Sequence, residues 1–202
     1  MARIASEYTD NKDLEADPNL IFVFDDILPE WLTIWGEESM VHFEWVYDNR
    51  SYPGGEPFFG KMFLDEHTNR TLPPIVDVVL AGFESYIDRK EDFDFMIEKC
   101  VKILANAQLP CTPGEPHVDT FKSNHWTLVY HLNDSTGDTR FYKSQENLTV
   151  VKSVPFKRGR MILFPSFYNH EGCVPEKGLR ISIGMQLLAE SRLTPIRNIE
   201  TL

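Results

Sequence analysis

The spacing of hydrophobic positions changes near residue 104 and divides the chain into two kinds of structure. Before Pro18 the chain is polar and acidic, and residues 1–17 read as a loose tail. "LIFVFDDILPEWLTIW" reads as a strand, a turn at Asp25-Asp26 and a helix carrying Trp31, Leu32 and Trp35. "SYPGGEPFFG" reads as a loop, because dense Pro and Gly break any period. Ile75, Val79, Phe83 and Ile87 recur every fourth residue, the stripe of an amphipathic helix over 72–87. A second helix is expected through "DFDFMIEKCVKI". From Leu104 onward the pattern shortens into strands: "LANAQL", "WTLVYHLN", "TRFYK", "LTVVKSV", "RMILFP" and "LRISIGMQLL", separated by turn signals such as "NDSTGD" and "PEKG". Helices followed by a run of strands give an α+β class, and many short strands favour a sandwich or jelly roll over a parallel sheet. The expected organisation is one domain over 18–190 and a C-terminal tail over 191–202.

Composition narrows the function classes. With 202 residues, 42% of them hydrophobic, the chain is large enough for one sizeable core. A net charge of -11 repels a phosphate backbone, so nucleic-acid and anionic-membrane partners are disfavoured. No apolar run is long enough to span a bilayer. Cys100, Cys111 and Cys173 are odd in number and irregularly spaced, which suits free thiols in a reducing cytoplasm. Asn133-Asp-Ser and Asn147-Leu-Thr match the glycosylation pattern but carry little weight without a secretion signal.

Candidate chemistry starts at "CTPGEPHVDT". On an extended strand His117 and Asp119 point to one face, with Val118 turned away. That pair is either two corners of a metal site or a surface His–Asp hydrogen bond. "NHEGCVPEKGLRISI" adds His170, fifty-one positions after Asp119, and Arg180 ten positions later. In the last strand Arg180, Ser182, Gly184 and Gln186 alternate with Ile181, Ile183 and Met185, so the polar set faces a barrel interior. An arginine pointing inward is costly unless an anion meets its planar fork. Two histidines and one carboxylate on one face of a metal form the triad of non-haem Fe(II) oxygenases, with three positions left for a 2-oxo acid and O2.

These pieces resemble the 2-oxoglutarate/Fe(II)-dependent dioxygenases, in their prolyl-4-hydroxylase-like branch. "FVFDDILPEWL" looks like the family's opening strand and helix, and "PHVDT" like its HxD motif. "WTLVYHLND" resembles the strand ending in YLN, "TGDTRFY" the GGET-F turn, and "GRMILFP" the strand before the distal His. The resemblance spans roughly residues 20–188. It implies a double-stranded β-helix, a distorted jelly roll with N-terminal helices packed on one sheet. It implies His117, Asp119 and His170 as iron ligands, Arg180 as the anchor for 2-oxoglutarate, and Ser182 as support for the same carboxylate. Asn106 and Gln108 either touch the co-substrate or are a polar strand end. His131 stands where the branch often has a Tyr that bonds the far carboxylate, and is either its replacement or an ordinary inward polar residue. The GGET-like turn has lost its first Gly, reading Thr136-Gly137-Asp138-Thr139.

The implied activity is C–H hydroxylation with Fe(II), O2 and 2-oxoglutarate, releasing succinate and CO2, on a peptidyl residue such as proline. Asp119, in place of Gly or Ala, argues against the halogenase variant. The rivals are a non-catalytic metal or 2-oxo-acid sensor, a dioxygenase acting on a free small molecule, and a nucleic-acid demethylase; the charge of -11 weighs against the last. His42, His67 and His125 are expected to be solvated. Trp45, Tyr47, Tyr52, Phe58 and Phe59 flank the Gly/Pro loop as packing or as a substrate-side wall.

Overall fold

The structure is a computed structural model that describes residues 14–40, 43–50, 54–65, 72–112 and 114–193. His42, Tyr52, His67, and most of both expected tails lie outside the described residues. Ten strands and two helices are described: β1 (Phe22–Phe24), α1 (Glu30–Met40), β2 (Val46–Asn49), β3 (Phe58–Leu64), α2 (Pro74–Ile87), β4 (Phe95–Gln108), β5 (His125–His131), β6 (Thr139–Tyr142), β7 (Val150–Val154), β8 (Met161–Pro165), β9 (His170–Gly172) and β10 (Arg180–Ser191). A seven-stranded sheet runs β1-β8-β5-β10-β4-β3-β2, and a three-stranded sheet runs β7-β6-β9. All pairings are antiparallel and neither sheet closes on itself. This is the α+β class that the strand run predicts, in the form of the double-stranded β-helix that the family resemblance implies.

Alternation along the strands decides what each face meets. Ile181, Ile183, Met185, Leu187 and Ala189 of β10 join the same core cluster as Val76, Val79, Phe83 and Ile87 of α2. The expected stripe on α2 is thus the surface that covers the large sheet. The opposite face of β10 carries Arg180, Ser182, Gly184 and Gln186 into a cavity. A second cluster, including Phe141, Ile162, Phe164 and Tyr168, fills the space between β8 and the small sheet.

Four expectations need correction. "DFDFMIEKCVKI" is not a helix but the first part of β4, paired with β10 along its length. Its register shifts between Gln186/Leu187 and between Leu188/Ala189 of β10 leave Val101 and Glu98 without partners. Two such bulges reset the period-2 alternation, so the apolar residues fall at spacings that mimic a helix. The Gly/Pro loop ends earlier than expected, since Phe58 and Phe59 already belong to β3. Order begins before Pro18: Ala16 is buried and its N–H donates to the Lys143 carbonyl. His125 is buried rather than solvated, with Nδ1 2.9 Å from Asn124 Oδ1. Asn133, which matches a glycosylation pattern, is also buried. Its amide donates to the Leu179 carbonyl and its Oδ1 accepts from Ile181 N–H, clipping the start of β10.

Candidate metal centre and anion pocket

His117 and Asp119 do not lie in a regular strand. Instead His117 and His170 form an isolated antiparallel bridge, each N–H donating to the other's carbonyl at 2.9 Å. Asp119 N–H donates to the Ser166 carbonyl at 3.1 Å. These backbone bonds fix the 117–119 segment against the chain around β9, and they bring the distal histidine beside the HxD pair.

The side chains converge accordingly. His117 Nε2 lies 3.8 Å from Asp119 Oδ1, and His170 Nε2 lies 3.9 Å from Asp119 Oδ2. One donor atom from each residue falls within 4.8 Å of the others. Both Nδ1 atoms are committed elsewhere: that of His117 donates to the Glu115 carbonyl at 2.8 Å, and that of His170 to the Tyr168 carbonyl at 2.9 Å. A carbonyl only accepts, so each Nδ1 carries the proton and each Nε2 presents a lone pair to the cluster. Burial, with His117 adding to it, pushes His170 down to about 4, so its ring is neutral near pH 7. Burial would raise Asp119, but His170, His117 and the Thr127 hydroxyl outweigh it and hold the carboxyl below its ordinary value. Thr127 Oγ1 donates to Asp119 Oδ2 at 2.6 Å and contacts Ser166 Oγ at 2.8 Å. Two imidazoles that turn Nε2 to the cluster and one ionised carboxylate, each oriented by an outer partner, suit Fe(II) and leave half an octahedron for other ligands.

Arg180 defines the far end of the cavity. It is 3% exposed. Its Nη1 donates to Gln108 Oε1 at 2.8 Å, its Nη2 to Thr139 Oγ1 at 2.9 Å, and its Nε to the Gly137 carbonyl at 2.9 Å. Its Cζ lies 4.5 Å from the centre of the Phe156 ring. Burial lowers its pKa to about 10, so the group remains cationic at neutral pH. All three hydrogen-bond partners are neutral, so the buried charge has no carboxylate to balance it among the described residues. That is the environment in which an anionic ligand offsets desolvation most. Gly137, the glycine that the GGET-like turn retains, has φ +88 and aims its carbonyl at the guanidinium.

Gly172 makes room for Arg180. A Cβ there would sit 2.6 Å from Nη1 and 2.9 Å from Cζ. The guanidinium is held by three bonds and cannot move aside without breaking them. Gly172→Ala is therefore expected to weaken 2-oxoglutarate binding about tenfold or more, because small misplacements of a clamp are costly. Calorimetric titration of the two proteins checks this.

The other predicted residues divide. Ser182, Asn106 and Gln108 line the cavity. Gln108 bridges Arg180 and the Gly172 carbonyl, while Asn106 accepts from Asn49 at 3.3 Å. His131 does not line it: among the residues of β5 facing that way, the lining consists of Thr127 and Val129. His131 stacks on Phe156 with centroids 3.9 Å apart, and Thr139 Oγ1 stands 3.4 Å from its Nε2. It therefore meets Arg180 through Thr139 and the Phe156 ring, which both residues touch. Burial, with Arg180 adding to it, holds its pKa well below the ordinary imidazole value. That environment favours the neutral ring, which does not suit a protonated His131 gripping the anion. Lys102, Thr127, Thr139 and Gly172 were not singled out from the sequence as site residues; only the alternation on β5 gave a sign of Thr127.

The depressed histidines set a stability trend. Between pH 6.5 and their folded values, the unfolded chain binds protons that buried His131 and His170 refuse. Stability is then full above about pH 6.5 and falls as the pH drops below it, by up to about 1.4 kcal/mol per pH unit for each histidine. Urea unfolding of the metal-free protein at pH 7.5 and 5.5 checks this: the midpoint should be lower at 5.5.

Residues 109–185 match the family model described as the 2OG-Fe(II) oxygenase superfamily. Over these residues the chain is a 2OG-Fe(II) oxygenase. Enzymes of this family use Fe(II), 2-oxoglutarate and O2, and the oxygenase brings together a candidate His-Asp-His site that could hold a metal ion. Its fold is shared with a prolyl hydroxylase from Trichoplax adhaerens, solved with a hypoxia inducible factor oxygen degradation domain peptide fragment; the TM-score is 0.59 at 15% identity, covering 85% of the oxygenase and 84% of that chain. A Pseudomonas putida prolyl-4-hydroxylase aligns with a TM-score of 0.58 at 14% identity, covering 84% and 92%. The epimerase SnoN from nogalamycin biosynthesis aligns with a TM-score of 0.60 at 11% identity, covering 88% and 83%. No curated protein matches the oxygenase by sequence. No helix among the described residues is long and apolar enough to cross a membrane.

Proposed function

We propose that this oxygenase hydroxylates a C–H bond, with His117, Asp119 and His170 holding Fe(II) and Arg180 holding 2-oxoglutarate. The observation that carries the reading is the buried guanidinium without a balancing anion in the same cavity as two histidines with free Nε2 lone pairs. When bound, the iron and its co-substrates supply the oxidising power: 2-oxoglutarate becomes succinate and CO2, and one oxygen atom enters the substrate.

The chain's own residues position these parts. The carbonyls of Glu115 and Tyr168 keep both imidazoles in the ligating tautomer. Thr127 fixes the rotation of the Asp119 carboxylate. Arg180 meets the far carboxylate of 2-oxoglutarate with its fork, and Ser182, two residues along the same face, supplies a hydroxyl beside it. Gln108 and Thr139 hold the guanidinium in place, so the anion meets a group already oriented.

For the primary substrate, a peptidyl residue is our first reading, supported by analogy with the prolyl hydroxylases that share the fold. A free small molecule is the second, supported by the similar likeness to an epimerase of a biosynthetic route. We place the enzyme in the cytoplasm on the strength of three cysteines that form no disulfide. The test is direct: iron-loaded protein in air should convert 2-oxoglutarate to succinate even without a primary substrate, and faster with one. A protein that binds iron and 2-oxoglutarate but releases no succinate is a sensor instead.

A further inference from the structure

We infer that Lys102 recognises a carboxylate on the primary substrate, beside the metal cluster and at the opposite end of the cavity from Arg180. The inference rests on the oxygenase reading and concerns what that site accepts.

The sheet register locates the two cations. Arg180 pairs with Gln108, and six residues further along β10 Gln186 pairs with both Lys102 and Thr127. At roughly 3.4 Å per residue those rows are about 20 Å apart along the strand. Thr127 is the residue bonded to Asp119. Lys102 is therefore in the row nearest the metal cluster, while the Arg180 backbone lies three rows away and its guanidinium reaches back as far as Gly172, two residues from His170. A five-carbon diacid with about 1.5 Å per carbon–carbon bond spans only about 7 Å. With one end on Arg180 and the other at the metal, it leaves the Lys102 row to the molecule that is oxidised.

The surroundings of Lys102 favour an anion. It is half-buried and lines the cavity with Gln186 and Gly184. Its ammonium makes no hydrogen bond or ion pair among the described residues and acts on the Asp119 carboxylate only through space, and an ammonium facing a cavity gains most from a direct partner there. Gly184, between the two rows, leaves open space: a Cβ added there would meet nothing nearer than the Leu104 carbonyl at 3.8 Å. The charge balance points the same way. Fe(II) and Arg180 together balance Asp119 and the two carboxylates of 2-oxoglutarate. Of the remaining charged residues lining the cavity, Arg50 and Lys102 outnumber Glu115. The overall charge of -11 does not oppose this, since exposed acids more than about 8 Å away are largely screened at physiological salt.

The carboxylate has two possible sources, a free amino or hydroxy acid and an acidic side chain in a peptide. The experiment pairs free L-amino acids with their carboxamides, and peptides containing Asp or Glu with the same peptides containing Asn or Gln. Two readouts are taken on the full chain: stimulated succinate release by the iron-loaded enzyme, and calorimetric binding to zinc-loaded, 2-oxoglutarate-saturated protein, which requires no turnover. In the wild type, carboxylates should be preferred over their amides by about tenfold or more in one of the two families, and that family identifies the source. Lys102→Met should reduce the preference to within threefold, and Lys102→Glu should reverse it. The inference is overturned if no carboxylate probe binds, if the preference survives in Lys102→Met, or if that variant loses affinity for 2-oxoglutarate with selectivity unchanged. The absence of succinate from wild-type protein that still selects carboxylates would instead sink the oxygenase reading.

Discussion

Asp119→Ala is expected to bring iron-dependent succinate release to background, a loss of more than about 100-fold. Disturbing groups that merely support a metal ligand typically costs 10- to 100-fold in affinity or activity, and Asp119 is the sole carboxylate of the cluster. Without it, two imidazoles face the metal and the cluster has no anionic donor. The fold should survive, because the backbone bonds from Asp119 N–H to Ser166 and between His117 and His170 do not depend on the side chain, and Thr127 keeps its contact with Ser166 Oγ at 2.8 Å. A thermal melt close to that of the wild type, with lost iron binding by equilibrium dialysis, is the expected pair of results. Retained turnover in a folded Asp119→Ala protein would remove the residue from the metal.

Arg180→Met should leave the enzyme unable to hold 2-oxoglutarate at working concentrations. Truncating one partner of a buried, hydrogen-bonded charge pair costs about 2–5 kcal/mol, or roughly 30-fold to several thousand-fold in Kd. Methionine keeps much of the apolar stem against Phe156 but leaves Gln108 Oε1, Thr139 Oγ1 and the Gly137 carbonyl without their donor. Arg180→Lys should fall between the two, since it restores the charge but not the fork. Titration calorimetry checks the order wild type, Lys, Met. Affinity within threefold of the wild type in Arg180→Met would contradict the assignment.

The sequence exposes those parts of the site that obey a simple period. Arg180 and Ser182 share a face of β10 with Gly184 and Gln186, the alternation is unbroken where it matters, and the structure puts that face in the cavity. The stripe Ile75–Ile87 is equally regular and becomes α2. What was hidden has a common cause: contacts set by the tertiary arrangement and not by local spacing. The two bulges that let β4 follow β10 disguised a strand as a helix. His131 has the right phase on β5 to enter the cavity, but Phe156, twenty-five residues away, stacks on its ring, and Thr139 comes between it and Arg180. Gly172 is indispensable only because Arg180, eight residues later, folds back over it. Lys102 lies in the stretch expected to be a helix, and the strand register reveals it as a cavity residue.

The measurement that bears most directly on the whole account is a crystal structure of the protein grown anaerobically with Fe(II) and 2-oxoglutarate, with iron located by its anomalous signal. The account predicts one iron about 2.0–2.2 Å from Nε2 of His117, Nε2 of His170 and a carboxylate oxygen of Asp119, with the far carboxylate of 2-oxoglutarate on the fork of Arg180. Iron bound elsewhere, or 2-oxoglutarate bound without touching Arg180, would contradict it.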